Sequence, residues 1–427
     1  MLTPWGDSRR LRELKLPPGK GTPRELVVRN QRRRLFAATV AAVAEKGYDE
    51  TSVADLIELS GVSRASFYRL FGDKRDCFEA TVAEILGAAV AALRAACAEF
   101  QGEAKARVGV EELVEMVVAQ PAAARVCLVE SYAAGDGART AVEAAADALE
   151  ELVAETFAAE EAEEMPAGIV SGVVGGFYKV LHTRLHRDAE WELRDLAPAL
   201  LEWMTGYRPP PEPLRAPRRR TRAASEPPFS GRDRGERILR ALATEVAASG
   251  YAGAKVADVA ARAEVSLSTF YLHFEGKHDA LLAALDSSGA QMLAATMPGA
   301  RRAPSWPQAV RVALESMCGF LAAEPEFAVL RTVEVYAAGP RAIELRDRLG
   351  DEFLAALVAL PFDDLPQPEP LVLEAIAGAV YGLLYRQVRA SGTESIPALA
   401  PLLTYIALAP FLGPDRACEV ANGDRRR

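Results

Sequence analysis

The chain contains itself twice. Residues 34–78 lie on residues 237–281 without a gap at a constant offset of 203, and sixteen of the 45 paired positions are identical. Gly47-Tyr48 falls on Gly250-Tyr251, Val53-Ala54-Asp55 on Val256-Ala257-Asp258, Val62-Ser63 on Val265-Ser266, and Phe67-Tyr68 on Phe270-Tyr271. Phe71, Lys74 and Asp76 fall on Phe274, Lys277 and Asp279. The offset returns far downstream, where Gly175, Tyr178 and Leu181 meet Gly378, Tyr381 and Leu384, and Leu196-Ala197-Pro198 meets Leu399-Ala400-Pro401. In between, Glu130-Ser131-Tyr132-Ala133-Ala134-Gly135 pairs with Glu334-Val335-Tyr336-Ala337-Ala338-Gly339 at an offset of 204, which one inserted residue explains. Two units of roughly 200 residues result, each long enough to close its own hydrophobic core.

Residues 207–235 separate the copies. Pro209-Pro210-Pro211, Pro213, Pro217 and Pro227-Pro228 stand among arginines there, a composition that cannot build a core and reads as an extended linker. At about 3.3 Å per residue it reaches up to roughly 95 Å, enough for the copies to pair within one chain. Half of the 427 residues are hydrophobic, but much of that share is Ala and only 7% are aromatic. That balance favours helix over sheet and predicts an all-α protein.

The net charge of -9 opposes a polyanionic partner, but its distribution does not. Residues 1–34 carry ten Lys or Arg against three acids, and residues 207–240 carry ten against four. The five cysteines are odd in number, widely spaced and without a CxxC pair, so neither a disulfide framework nor a zinc site is expected and a reducing cytoplasm fits. No apolar signal-peptide core follows the first arginines. The uncharged stretch 396–413 reaches the length of a membrane span, yet Pro397, Pro401 and Pro410 interrupt it, and it reads as a buried helix.

Within each copy the periodicity is helical. Leu35, Phe36, Thr39 and Val43 form an apolar stripe that Gly47 ends, and Ile238, Leu239, Leu242 and Val246 repeat it. Thr51 and Ser52 are candidate N-caps of a short helix carrying Val53, Leu56 and Ile57 that stops at Gly61. Ser63 opens a second short helix, whose Phe67 and Phe71 face inward at i, i+4 and whose other face is polar and basic. Two short helices joined by a tight turn form a helix-turn-helix, which places a helix N-terminus in the major groove.

Gly47-Tyr48, Val53-Ala54-Asp55, Gly61-Val62-Ser63, Phe67-Tyr68, Phe71 and Lys74 resemble the DNA-binding signature of the TetR family, and Ser266-Leu267-Ser268-Thr269-Phe270-Tyr271-Leu272-His273-Phe274 with Lys277 resembles it again. The resemblance implies recognition helices opening at Ser63 and Ser266, a phosphate-holding lysine at the next helix start, and a helical effector and dimerisation domain behind each head. Physical chemistry agrees: hydroxyls and tyrosines at the tip of a short helix reach phosphates or thymine methyls, and Arg64 suits bidentate reading of guanine. The residues expected at DNA are Thr51, Ser63, Arg64, Ser66, Tyr68, Arg69 and Lys74 in the first head, and Lys255, Ser266, Ser268, Thr269, Tyr271, His273 and Lys277 in the second.

The expected order is a basic flexible arm (1–30), a first head (31–77), a first helical domain (78–206), the linker (207–235), a second head (236–280), a second helical domain (281–413) and a tail (414–427). The arm has two readings, a segment that tracks DNA or a solvated tail. The resemblance further implies that the last helices of each copy, 169–186 with 194–204 and 371–389 with 396–412, pair in a four-helix bundle, here an intramolecular pseudo-dimer with close approach at Gly172, Gly175, Gly176 and Gly378, and further dimerisation is open. Glu130, Tyr132, Glu334 and Tyr336 are either pocket walls or structural helix ends. His182 and His186 share a helical face, but no third metal ligand stands at suitable spacing.

The heads depart from one another. Leu70 stands where the second copy has His273, Glu264 replaces the turn glycine Gly61, and Arg64-Ala65-Ser66 opposes Leu267-Ser268-Thr269. The unlike heads imply a DNA-binding regulator with unequal half-sites in successive major grooves about 34–36 Å apart, and the resemblance to the TetR family implies that it is a ligand-responsive repressor. Double-stranded DNA and a small-molecule effector are its expected partners; no cofactor, metal, membrane or catalytic role is expected. The alternative is an effector-free architectural protein with one degenerate head.

Overall fold

A computed structural model of the chain describes residues 1–16, 22–158, 164–216, 233–362 and 369–423. They form an all-α protein, apart from a small N-terminal hairpin in which β1 (Leu2–Thr3) pairs antiparallel with β2 (Gly6–Asp7). The chain divides into two compact units, one of residues 1–160 and 180–201, the other of residues 161–179 and 202–427. The division does not follow the repeat: a segment of the first copy is counted with the second.

In the first unit the head comprises α1 (Arg24–Glu50), α2 (Val53–Ser60) and α3 (Arg64–Leu70). Behind it come α4 (Lys74–Cys97), α5 (Gly102–Ala119), α6 (Pro121–Arg125), a π turn (Val126–Glu130) and α7 (Asp136–Ala158). α8 (Ala167–His186) and α9 (Leu193–Thr205) complete the first copy. The predicted stripe is the core: Leu35, Phe36, Thr39 and Val43 are buried, and Leu56, Val62, Phe67 and Phe71 close over them. Gly47 breaks α1, at φ 81 and ψ 164, a conformation costly for a residue with a Cβ.

The second copy repeats this as α10 (Arg234–Gly253), α11 (Val256–Arg262), α12 (Leu267–His273), α13 (Lys277–Ala300), α14 (Trp306–Ala323), α15 (Pro325–Val329), a π turn (Leu330–Glu334), α16 (Pro340–Val358), α17 (Pro370–Ser391) and α18 (Ala400–Ala421). α3 and α12 keep the offset of 203 at both ends, as do α4 and α13. α5 and α14 sit 204 apart, so the inserted residue lies in the loop before α14, where a changed length disturbs no helix face.

Three boundaries differ from expectation. Residues 1–16 are not a flexible arm: Leu11 is fully buried against Ala37 and Ala38, the Trp5 ring packs at a tilt against Phe36 with centroids 5.2 Å apart, and α1 begins at Arg24. Two apolar anchors among the basic residues hold this segment. Arg12 of this segment donates to Glu58 O at 2.9 Å, and Arg34 of α1, which is buried, donates to Ser60 O at 2.7 Å. Pro397 and Pro401 sit in first turns, where the missing N–H costs little, and α18 continues through Pro410; it breaks at Gly413 (φ 74, ψ 171) and resumes to Ala421. Residues 414–421 are therefore helix with a buried face, not a tail: Cys418 Sγ donates to Glu212 O, and Asn422 Nδ2 to Pro213 O. Tyr207, the first residue of the expected linker, is buried and donates to Ile406 O at 3.0 Å. Of the rest of the expected linker, residues 217–232 lie outside the described residues and its last two residues already belong to α10; the arm at 17–21 lies outside them too.

The glycines expected at a close helix approach lie at one. Within the second unit, a Cβ added to Gly175 would stand 2.9 Å from Gly378 O, and one added to Gly378 would stand 2.6 Å from Gly175 O. Lys179 Nζ meets Asp347 at 2.5 Å beside this contact, and Gly176 lies under the Trp203 indole.

Candidate nucleic-acid interface

The recognition helices have matching backbones and different tips. Ser63 caps α3 by accepting from Ser66 N–H at 3.2 Å, and Ser266 caps α12 by accepting from Thr269 N–H at 3.0 Å. These hydroxyls hold the helix start in place before any ligand arrives. Phe67 and Phe270 are fully buried and carry Tyr68 and Tyr271 edge-on at 5.3 and 5.4 Å, which fixes both phenols outward; they are 48% and 57% exposed.

On α3 the Arg64 guanidinium lies 5.8 Å from the Tyr68 ring, and Arg69 donates to Ser66 Oγ at 2.9 Å. The tip is a cationic, hydroxyl-bearing surface suited to phosphates and guanine edges. On α12 the same surface holds Ser268, Thr269, Tyr271 and His273, with Ser266 Oγ 2.7 Å from Ser268 Oγ. Leu267 and Leu272 stand exposed there, Leu272 at 84%. The sequence reading did not assign Leu272. An apolar residue at the position of Arg69, on a face otherwise polar, was the available signal, and it suits a thymine methyl.

Thr51 departs from its expected role. It is buried and donates from Oγ1 to Gly47 O at 2.7 Å, so it closes the break in α1, while Ser52 caps α2 with Asp55 as a reciprocal capping box. Lys46 and the Ser52 hydroxyl and N–H hold the Asp55 carboxyl down to about 2. The second head has Lys255 where Ser52 stands; it is exposed and gives α11 no side-chain cap. Glu264 takes the left-handed turn at φ 55 where Gly61 has φ 62, so the turn survives at a cost of roughly 1–2 kcal/mol.

Lys74 and Lys277 first serve the protein. Lys74 Nζ donates to Tyr48 O at 2.8 Å and to Asp49 O at 3.3 Å, Lys277 Nζ donates to Tyr251 O at 2.6 Å and to Ala254 O at 2.9 Å, and both lie over tyrosine rings at 4.2 and 4.3 Å. Burial holds both ammonium groups below the usual lysine value. With three protons on each nitrogen, one remains for a phosphate.

The turn behind each head has a defined job. Glu130 Oε2 accepts from Tyr48 N–H at 3.0 Å and Glu334 Oε2 from Tyr251 N–H at 2.7 Å, the amides that the breaks at Gly47 and Gly250 leave unsatisfied. Of the two readings for these glutamates, the structural one holds. His182 and His186 stack at 5.9 Å, and no group of three His, Cys, Asp or Glu among the described residues is placed to hold a metal. The five cysteines are free and buried, and burial pushes the Cys77 thiol up to about 11.

Both heads match one family model, described as bacterial regulatory proteins, tetR family, over residues 35–81 and 238–285. Each head is thus similar to the DNA-binding domain of the TetR family, and the two matches repeat the tandem duplication within one polypeptide. Similar solved structures include the fatty acid degradation regulator FadR from Bacillus halodurans, 20% identical with a TM-score of 0.38 over 40% of this chain and 97% of that one. Another is the transcriptional regulator FadR from Bacillus subtilis in complex with stearoyl-CoA, at 18% and 0.37 over 40% and 96%. A third is the TetR family regulator PfmR from Thermus thermophilus, at 21% and 0.31 over 39% and 97%. No curated protein matches this chain.

Proposed function

We propose that this protein is a cytoplasmic, ligand-responsive repressor that reads two unequal half-sites with the two heads of one chain. The observation that carries this reading is the pairing of heads of matching backbone with unlike tips, Arg64, Ser66 and Arg69 on α3 against Leu267, Thr269 and Leu272 on α12. A homodimer of identical heads is bound to favour a palindrome; this chain is not. The seven DNA-facing residues assigned to each head are part of the proposal, with Thr51 acting only through the backbone it closes. The two copies are proposed to act as an intramolecular pseudo-dimer, supported by the Gly175 and Gly378 contact, and the effector to act through the π turns that grip Tyr48 and Tyr251.

Selection from randomised duplexes tests this. The expected product is a site with two different halves, from which Arg64→Ala erases a guanine preference in one half at a cost of about 1–3 kcal/mol while Tyr271→Ala weakens the other. Neutralising about 6–10 phosphates would lower affinity roughly 10³- to 10⁵-fold between 50 and 200 mM salt. A perfect palindrome would refute the unequal heads. Absence of any sequence preference would refute specific regulation and favour the architectural alternative.

A further inference from the structure

Within the second unit, α13, α14, α16, α17 and α18 enclose a narrow apolar cavity of about 80 Å³. Its walls include Met292, Met317, Phe353, Leu357, Ile376 and Leu384. One wall residue does not belong in such company. Arg331, on the π turn Leu330–Glu334, is 3% exposed, and its one polar contact is Nη1 to Met292 Sδ at 3.6 Å. Among the described residues no carboxylate pairs with it.

Another buried arginine of the same unit shows what a satisfied guanidinium looks like here. Arg346 is 4% exposed and donates to Asp347 from Nε at 2.9 Å and from Nη2 at 2.6 Å, with the Tyr336 and Tyr381 rings at 4.7 and 5.3 Å. A guanidinium does not lose its proton in a protein, so burial of Arg331 cannot be relieved by neutralisation. An unpaired buried charge is strongly unfavourable, and the fold does not require one at this place. The corresponding position of the first π turn is Cys127, also buried.

We propose that the cavity binds a small amphiphile with one carboxylate head and a slender aliphatic tail. The carboxylate takes two parallel N–H donors from Arg331, the planar pairing a guanidinium is built for, and a single negative charge balances the single positive one. The tail lies along the apolar walls, where Met292 and Met317 adapt to its shape. At about 80 Å³ the space is well below the roughly 300 Å³ of a small preformed drug site, which selects a short unbranched chain.

Occupancy has a route to the DNA. Arg331 and Glu334 belong to one π turn, and Glu334 holds the Tyr251 amide of the second head at 2.7 Å. Single π turns inside helices are rare and are frequently found at functional sites. Drawing Arg331 toward an anion shifts the turn that carries Glu334 and loosens its grip on the head. This last step rests on the ligand-responsive reading above; the binding step does not.

The test uses the full chain with butyrate, 1-butanol and butylamine, followed by calorimetry and by tryptophan fluorescence, to which Trp306 of the cavity wall contributes. Butyrate is expected to bind at least tenfold more tightly than either analogue. Arg331→Met abolishes that preference while 1-butanol binding is retained, and Arg331→Cys, which installs the first copy's residue, does the same. Equal binding of the three probes, binding of none, or an unchanged preference in both variants overturns the site. Release of operator DNA is measured separately. Butyrate binding without DNA release refutes the ligand-responsive reading and leaves the site standing, whereas specific DNA binding without butyrate binding refutes the site alone.

Discussion

Removing the glutamate behind each head isolates the joint between head and body. In Glu130→Ala the Tyr48 amide loses its acceptor, and the helix cannot supply another because Gly47 has left helical geometry. Tyr48 is buried, which restricts water from taking the acceptor's place. A hydrogen bond to a charged group contributes about 1.5–3 kcal/mol, so about 2 kcal/mol is expected here. Glu130→Gln keeps a neutral acceptor and loses about half of that. If the joint opens locally, 2 kcal/mol corresponds to a roughly 30-fold faster exchange of the Tyr48 amide hydrogen. The melting point of the first unit falls by about 4–8 °C if its opening is global. The equivalent Glu334→Ala repeats the experiment at Tyr251 in the second unit. Amide exchange by mass spectrometry reads both sites. Exchange at Tyr48 and Tyr251 unchanged in both alanine variants, or no difference between Ala and Gln, refutes the claim that these carboxylates fasten the heads.

Further outcomes follow from individual residues. Asp55 titrates near 2 in the folded chain against an ordinary 3.8, so its capping contribution is complete above about pH 4 and is lost as pH falls toward 2. Acid melting of Asp55→Asn should therefore lack the extra loss of α2 stability that the parent shows in that window. At the turn of the helix-turn-helix, Gly61→Ala should destabilise the first head by about 1–2 kcal/mol because φ is 62 and its Cβ would stand 2.9 Å from Arg12 Cγ, while Glu264→Gly should change the second by no more than about 1 kcal/mol, in the stabilising direction. Chemical denaturation checks both, and matching signs would refute the left-handed reading. Gly378→Ala forces a methyl within 2.6 Å of a backbone oxygen that cannot rotate away, and should cost about 1–3 kcal/mol in the second unit; a neutral result would show that the helices separate freely there.

The duplication, the all-α class and both heads were legible in the sequence because each rests on local spacing. Phe67 and Phe71 at i, i+4, Ser63 and Ser266 at helix starts, and glycine at the break are short-range statements that neighbouring residues satisfy among themselves. The same reasoning failed where a residue is used at a distance. Thr51, by sequence a candidate cap and DNA contact, is spent on Gly47, and the basic N-terminal segment, read as a DNA-tracking arm or a solvated tail, is held by Leu11 against Ala37 and Ala38.

The sequence by itself determined that two copies of one fold would form and that their recognition helices would carry different chemistry. Only tertiary structure decided that Glu130 and Glu334 reach back across about eighty residues to the amides of Tyr48 and Tyr251, and that Arg331 faces an apolar cavity with no counter-ion among the described residues. The physical reason is range. Helix periodicity and capping are written within a few residues, whereas the partner of a buried charge is set by which helices close around it.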